Sequence, residues 1–128
     1  MIKVSVVILN WNGVEMLQRF LPKVVEYSQG EGVEICVADN ASTDASCAWV
    51  TETFPNVRLI TLDTNYGFAE GYNRALQQVE AEYVVLLNSD VEVTPHWLDA
   101  MLDYMDAHPE VAACQPKIRS ERNKECFE

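Results

Sequence analysis

The sequence predicts an α/β fold, an open, doubly wound and mostly parallel sheet. Four short runs, Lys3–Leu9, Val33–Ala38, Val57–Leu62 and Tyr83–Leu87, are rich in β-branched residues and nearly continuous in apolar character, as strands covered on both faces are. Stripes at helical spacing fill the gaps between them. Strand and helix therefore alternate, the signature of βαβ units with right-handed crossovers.

The first run hands over at Asn10–Gly13 to a helix with the stripe Leu17, Phe20, Leu21, Val24 and Val25. The second is followed by a shorter helix running toward Phe54, capped by Ser42 or Thr43 and ended by Pro55. Phe68, Tyr72, Ala75, Leu76 and Val79 form the third stripe. Trp97, Leu98, Met101, Leu102 and Met105 form the fourth, behind Thr94 as N-cap and Pro95 at the first helical position. Val111–Cys114 is a fifth, weaker strand candidate. The polar tail from 119 to 128 follows no packing pattern and reads as a chain interrupted. A sheet without its later strands would expose unpaired edges, so a homo-oligomer is one expectation.

At 128 residues, 48% of them apolar and 23% charged, the chain suits one domain with one core. Acidic side chains outnumber basic ones 20 to 9, for a net charge of −11. That balance argues against nucleic acid and anionic lipid, which need clustered Lys and Arg. No apolar stretch approaches the roughly 20 residues that span a bilayer. The N-terminus lacks a secretory pattern, so the cytoplasm is the expected compartment. Cys36, Cys47, Cys114 and Cys126 form no C-x-x-C pair and no histidine stands at zinc spacing, which disfavours structural zinc and a disulfide framework.

In sheets of this kind ligands bind outside the carboxyl ends of the strands. The first exit reads Asn10-Trp11-Asn12-Gly13 and the second Asp39-Asn40-Ala41-Ser42-Thr43-Asp44. The third runs from Asn65 through Gly67 and Gly71 to Arg74, and the fourth is Asn88-Ser89-Asp90. Asx residues favour turns by bonding the local backbone. That explains any one exit, but less well why four consecutive exits are all rich in hydrogen-bonding groups.

Each residue has two readings. Asp39 is equally a turn cap or a group that accepts the imide N–H of uracil or thymine. Asp44 reads as a first-turn acid favoured by a helix dipole. Asp90 closes an exposed turn, or offers the oxygen chemistry that Mg²⁺ or Mn²⁺ takes alongside substrate phosphates. Gly67 admits close backbone approach, and Arg74 is either a planar fork for a diphosphate or a solvated helix residue. Trp11 either stacks on a base or covers the end of the first strand. His96, His108, Trp97 and the Asp99, Asp103, Asp106 face have only structural readings. Neither a G-x-G-x-x-G fingerprint nor a P-loop is present.

Taken together, Val4–Gly13, Val37–Asp44, Asn65–Ala75 and Leu86–Val93 resemble the N-terminal half of a family 2 glycosyltransferase with the GT-A fold. The pairing of NWNG with DNASTD is most like its rhamnosyltransferase-like branch. The resemblance implies that residues 1–118 are the part that binds a nucleotide-diphospho-sugar donor, with the tail leading into a later part. It implies that Asn10, Trp11 and Asn12 hold uridine or thymidine, with Asp39 on the base and Asn40 beside it. Asn65, Gly67, Gly71 and Arg74 would lie near ribose and diphosphate. Asn88 and Asp90 would match the family's Asp-x-Asp motif, with Asp90 helping to bind Mg²⁺ or Mn²⁺. Asn88 keeps a carbonyl ligand but lacks a charge. The acceptor would be a saccharide or a lipid-linked sugar, reached at the inner face of the membrane, and the transfer would invert the anomeric centre. No catalytic base can be assigned; the resemblance puts it in the later part. A sugar nucleotidyltransferase would need a Gly-rich basic loop after the first strand, and a phosphoacceptor domain would need acids there. A non-catalytic nucleotide-sugar-binding module remains the alternative.

Overall fold

A computed structural model describes residues 1–116 and shows four parallel strands in the order β3-β2-β1-β4. The strands β1 (Val4–Asn10), β2 (Val33–Asp39), β3 (Arg58–Thr61) and β4 (Tyr83–Leu87) alternate with helices α1 (Val14–Tyr27), α2 (Ser46–Thr53), α3 (Gly67–Leu76) and α4 (Trp97–Ala107). Residues Val111–Cys114 form no strand, contrary to the sequence reading. The tail from 119 to 128 lies outside the described residues.

β1 is the keystone because its side chains serve two cores. Val4, Val6 and Ile8 pack with Leu17, Leu21, Val24, Val50 and Leu98, which come from α1, α2 and α4. Val7 faces the other way, with Cys36, Ala38, Ile60, Tyr72 and Ala75 beneath α3. Each such aliphatic side chain contributes about 1.5–3 kcal/mol on burial. Winding runs from β1 to β2 to β3, and α3 then carries the chain back across the sheet to place β4 on the other side of β1. The strand order reverses at β1, so the crevice above its carboxyl end is the topological switch point.

Several local expectations shift. β1 and β2 each run one residue further than predicted, so Asn10 and Asp39 form the last rung of the ladder. α2 begins at Ser46, which leaves Ser42 and Thr43 in the preceding loop rather than at a cap. α4 begins at Trp97: the Thr94 carbonyl accepts from the Trp97 N–H at 3.2 Å, and His96 has φ 63°. Pro95 and the left-handed His96 are the two central residues of a type II turn, whose geometry demands a positive φ at the second. Phe68, expected on the core stripe of α3, is 66% exposed. β4 reads in sequence as a strand covered on both faces, yet Val84 and Leu86 are exposed because β4 is an edge strand with a helix layer on only one side among the described residues.

Candidate functional site

All four loops that leave the strands emerge at one rim, because every strand is parallel. Asn10 and Asp39 stand side by side there, each 2% exposed. The Asn10 Nδ2 donates to Asp39 Oδ1 at 2.9 Å and to Ser42 Oγ at 3.3 Å. The Ser42 hydroxyl donates to the same Asp39 oxygen at 2.7 Å, and the Ser42 N–H donates to Asp39 Oδ2 at 2.8 Å. Ser42 Oγ also accepts from the Asn12 N–H at 2.8 Å. With two donors on its lone pairs, that hydroxyl has one direction left for its proton, toward the carboxylate.

Asn12 Oδ1 accepts the N–H groups of Thr43 and Asp44, at 2.7 and 3.2 Å. Asp44 then joins two helix starts: Oδ2 accepts from the Val14 N–H at 3.2 Å, and Oδ1 accepts from the Ser46 N–H at 2.9 Å. Neither α1 nor α2 has a side-chain bond from its own N-cap residue, so this one carboxylate supplies the missing acceptor at both ends. Burial pushes its pKa up, but bonds from the Ser46 hydroxyl and N–H and from Val14 outweigh that and hold it below the ordinary Asp value. A depressed folded pKa contributes stability above the unfolded value, and the contribution is lost as pH falls through the folded one. Asp44→Ala is therefore expected to lower stability by roughly 1 kcal/mol at neutral pH. The gap to wild type should narrow below about pH 4, as read by urea denaturation at several pH values.

Asn40 acts as a second clamp, donating from Nδ2 to the Gly67 carbonyl and accepting the Tyr66 N–H on Oδ1, both at 2.9 Å. Asn65 accepts the Gly67 N–H at 2.8 Å. Gly67, at φ 80°, takes the left-handed turn into α3 that a side chain would resist. Gly71 is a close-approach position: a Cβ there would lie 2.9 Å from Asn40 Nδ2 and 3.1 Å from the Leu9 methyls. Tyr72 extends the clamp, donating its hydroxyl to the Leu87 carbonyl at 3.0 Å and accepting from the Leu9 N–H at 3.4 Å.

Asn10 Oδ1 is buried with no hydrogen-bond partner among the described residues. Turning the amide over would set this oxygen against the Asp39 carboxylate, so the Asp39 bond fixes its orientation. It points at Gly13, where a Cβ would lie only 2.6 Å away. Gly13→Ala is expected to destabilise by about 1–3 kcal/mol, the cost of overpacking a site that cannot turn aside, with urea denaturation as the measure.

The candidates of the sequence thus divide. Asn10, Asn12, Asp39, Asn40, Asn65, Gly67 and Gly71 interlock the loops. Trp11, 56% exposed, and Asn88 and Asp90 of the β4–α4 loop stand outward at the same rim. Arg74 stands at the β3 exit of the rim: its guanidinium bonds Glu70 at 3.1 Å, stacks 4.3 Å from the Tyr66 ring centre, and borders a cavity of about 270 Å³ lined by Thr61, Leu62 and Asp63. A larger cavity, about 460 Å³, opens at the opposite rim between Val25, Ser28, Val33, Phe54 and Val57, away from every strand exit.

Ser42 and Asp44 were legible only as helix-start residues, and Tyr72 only as core. The signal for Ser42 is its position three residues after Asp39, a backbone N–H within reach of a capping carboxylate. Cys47, read in the sequence only as neither a zinc ligand nor a disulfide partner, lies beside this network. Its half-buried thiol is pushed up to about 11 by burial and by the adjacent Asp39 and Asp44 carboxylates, so it is no nucleophile at neutral pH.

No three His, Cys, Asp or Glu side chains converge into a metal cage among the described residues. The donor set after β4, one exposed carboxylate with one amide carbonyl nearby, suits a hard divalent cation that keeps its other positions for water and phosphate oxygens.

A doubly wound sheet with polar loop residues and an exposed tryptophan gathered at the switch-point rim is the architecture of nucleotide-binding α/β domains. More narrowly, the chain belongs to glycosyl transferase family 2, whose model matches residues 5–126, and its fold is GT-A. It is 31% identical over 114 residues to an N-acetylglucosaminyl-diphospho-decaprenol L-rhamnosyltransferase of Mycobacterium tuberculosis, covering 80% of this chain and 37% of that protein. It is 31% identical over 105 residues to the succinoglycan biosynthesis protein ExoO of Rhizobium meliloti, covering 81% and 30%. Among solved structures, residues 1–349 of S. aureus TarS in complex with UDP superpose with a TM-score of 0.75 at 26% identity, over 84% of this chain and 33% of that one. The mannosyltransferase PcManGT of Pyrobaculum calidifontis, in complex with GDP-Man and Mn²⁺, shares the fold at TM-score 0.72 and 21% identity, over 96% and 37%. The chain spans about a third of the length of these relatives. No helix of the described residues is long and apolar enough to cross a membrane.

Proposed function

We propose that this chain is the donor-binding part of a glycosyltransferase that takes a UDP- or dTDP-sugar with Mg²⁺ or Mn²⁺ and passes the sugar, with inversion, to a saccharide or lipid-linked acceptor. The observation that carries this reading is the meeting of the β1, β2 and β4 exits at one rim, with Trp11 and Asp90 exposed and the loops between them interlocked. The Trp11 indole offers a flat face for a pyrimidine. Asp39, one position behind it, accepts the imide N–H. Asn10, Asn12, Asn40 and Asn65 hold the loops in the conformation that sets those groups. Gly67 and Gly71 let the start of α3 approach the rim.

Asn88 and Asp90 would hold the divalent cation, which supplies charge neutralisation for the departing diphosphate. Such screening matters here, because a protein of net charge −11 otherwise repels a nucleotide diphosphate. The relatives, a rhamnosyltransferase acting on a decaprenol-linked sugar and a succinoglycan biosynthesis protein, support a cell-surface polysaccharide or lipid-linked acceptor met at the cytoplasmic face of the membrane. The residue that takes the acceptor's proton is assigned to none of residues 1–116.

Calorimetry of UDP and dTDP against the 128-residue chain, with Mn²⁺ and then with a chelator, tests the reading. Metal-dependent binding is expected, and no heat with either nucleotide in Mn²⁺ contradicts it.

A further inference from the structure

Ser42 has no part in the reading above, yet among the described residues it makes two hydrogen bonds to Asp39 where Asn10 makes one. A carboxylate has about four acceptor positions on its two oxygens. On Asp39, Oδ1 is saturated by Asn10 Nδ2 and Ser42 Oγ, at 2.9 and 2.7 Å, and Oδ2 already accepts the Ser42 N–H at 2.8 Å. One position remains, on Oδ2, with the Cys47 thiol, a weak donor that a base N–H would displace, also beside the carboxylate. Asp39 is also 2% exposed, which leaves little of the carboxylate open beyond that position.

We infer that Ser42 is the positioning residue that sets base selectivity: by occupying Oδ1 it leaves Asp39 a single acceptor, matched to the lone imide N–H of uracil or thymine. This rests on the nucleotide reading above. Guanine presents two parallel donors, N1–H and the 2-amino group, which need two acceptors, and Asp39 has one to give. Cytosine presents a lone pair at N3, which a carboxylate repels. The Ser42 hydroxyl is locked, because Asn12 N–H and Asn10 Nδ2 hold its two lone pairs and direct its proton at Oδ1. Removing the hydroxyl frees Oδ1 to receive a second donor.

The test is calorimetric titration of UDP, CDP and GDP with Mn²⁺ into the wild-type 128-residue chain, Ser42→Ala and Ser42→Thr. Wild type is expected to prefer UDP over both others by roughly tenfold or more, the scale of one unmade hydrogen bond in a covered site. In Ser42→Ala the UDP-to-GDP ratio should collapse by a similar factor through a gain for GDP, and Ser42→Thr, which keeps the hydroxyl, should restore it. A merely structural role would weaken all three nucleotides together. Should Ser42→Ala melt without a cooperative transition, Ser42→Cys keeps the volume with a weaker donor and must show an intermediate ratio. Wild type binding UDP while the alanine or cysteine variant shifts every nucleotide equally overturns this inference and leaves the nucleotide reading intact. Wild type binding no nucleoside diphosphate overturns both.

Discussion

Asp39→Ala is expected to abolish UDP binding and to lower the free energy of unfolding by about 3 kcal/mol. The carboxylate sits on the last rung between β1 and β2 and accepts from Asn10 Nδ2, the Ser42 N–H and the Ser42 hydroxyl. The Ser42 hydroxyl, whose lone pairs Asn10 and Asn12 hold, loses its acceptor together with the Asn10 amide and the Ser42 N–H. Each buried donor left unsatisfied costs roughly 1–3 kcal/mol. Asp39→Asn keeps the volume and one acceptor oxygen, so its loss of stability should be smaller while UDP affinity still falls. Urea denaturation followed by tryptophan fluorescence reads the first effect, and calorimetry with Mn²⁺ the second. Unchanged stability in Asp39→Ala would show that the interlocked loops contribute nothing; unchanged UDP affinity would remove Asp39 from the donor site.

Asp90→Ala is expected to leave stability nearly unchanged while weakening binding much as Asp39→Ala does. Asp90 is exposed in the loop after β4, and no hydrogen bond or ion pair holds its side chain among the described residues. Its removal should therefore move stability by no more than about 0.5 kcal/mol. On the proposed reading, UDP affinity in Mn²⁺ should fall by at least roughly tenfold, to the level wild type shows with chelator, because Asp90 supplies the carboxylate of the Asn88-Ser89-Asp90 turn that would draw the cation. Asn88→Asp supplies the converse: a second carboxylate beside Asp90 should tighten the Mn²⁺-dependent part of binding. An Asp90→Ala protein that keeps full metal-dependent affinity would place the cation elsewhere.

The contrast between these two acids shows what the sequence could and could not reveal. Alternation of β-branched runs with helical stripes specified the sheet, because strands buried on both faces are predominantly apolar, as Val4, Val6, Val7 and Ile8 illustrate. The position of Asp39 and Asp90 after strands then placed both at one rim. Their division of labour was not legible. It depends on β1 and β2 each running one residue further, which pairs Asn10 with Asp39, and on bonds spanning about thirty residues, from Asn10 and Asn12 to Ser42 and Thr43. An Asn that pins a neighbouring loop and an Asn that binds a ligand look alike in a sequence, since both are short, polar and turn-favouring. Arg74 shows the same limit in reverse. Its place on α3 was foreseeable, whereas its contacts with Glu70 and Tyr66 at the β3 edge were not. The continuous apolar run of β4 likewise promised two covered faces, and only the strand order shows that β4 is an edge.

Paramagnetic broadening by Mn²⁺ in amide NMR spectra of the 128-residue chain tests the convergence of these loops most directly. The cation and UDP together should broaden the amides of Asn88, Ser89 and Asp90 and shift the Trp11 indole and the amides of Asn12 and Ser42 in the same titration. Broadening confined to other surfaces, or UDP shifts that leave the β1 and β2 exits untouched, would contradict a shared site.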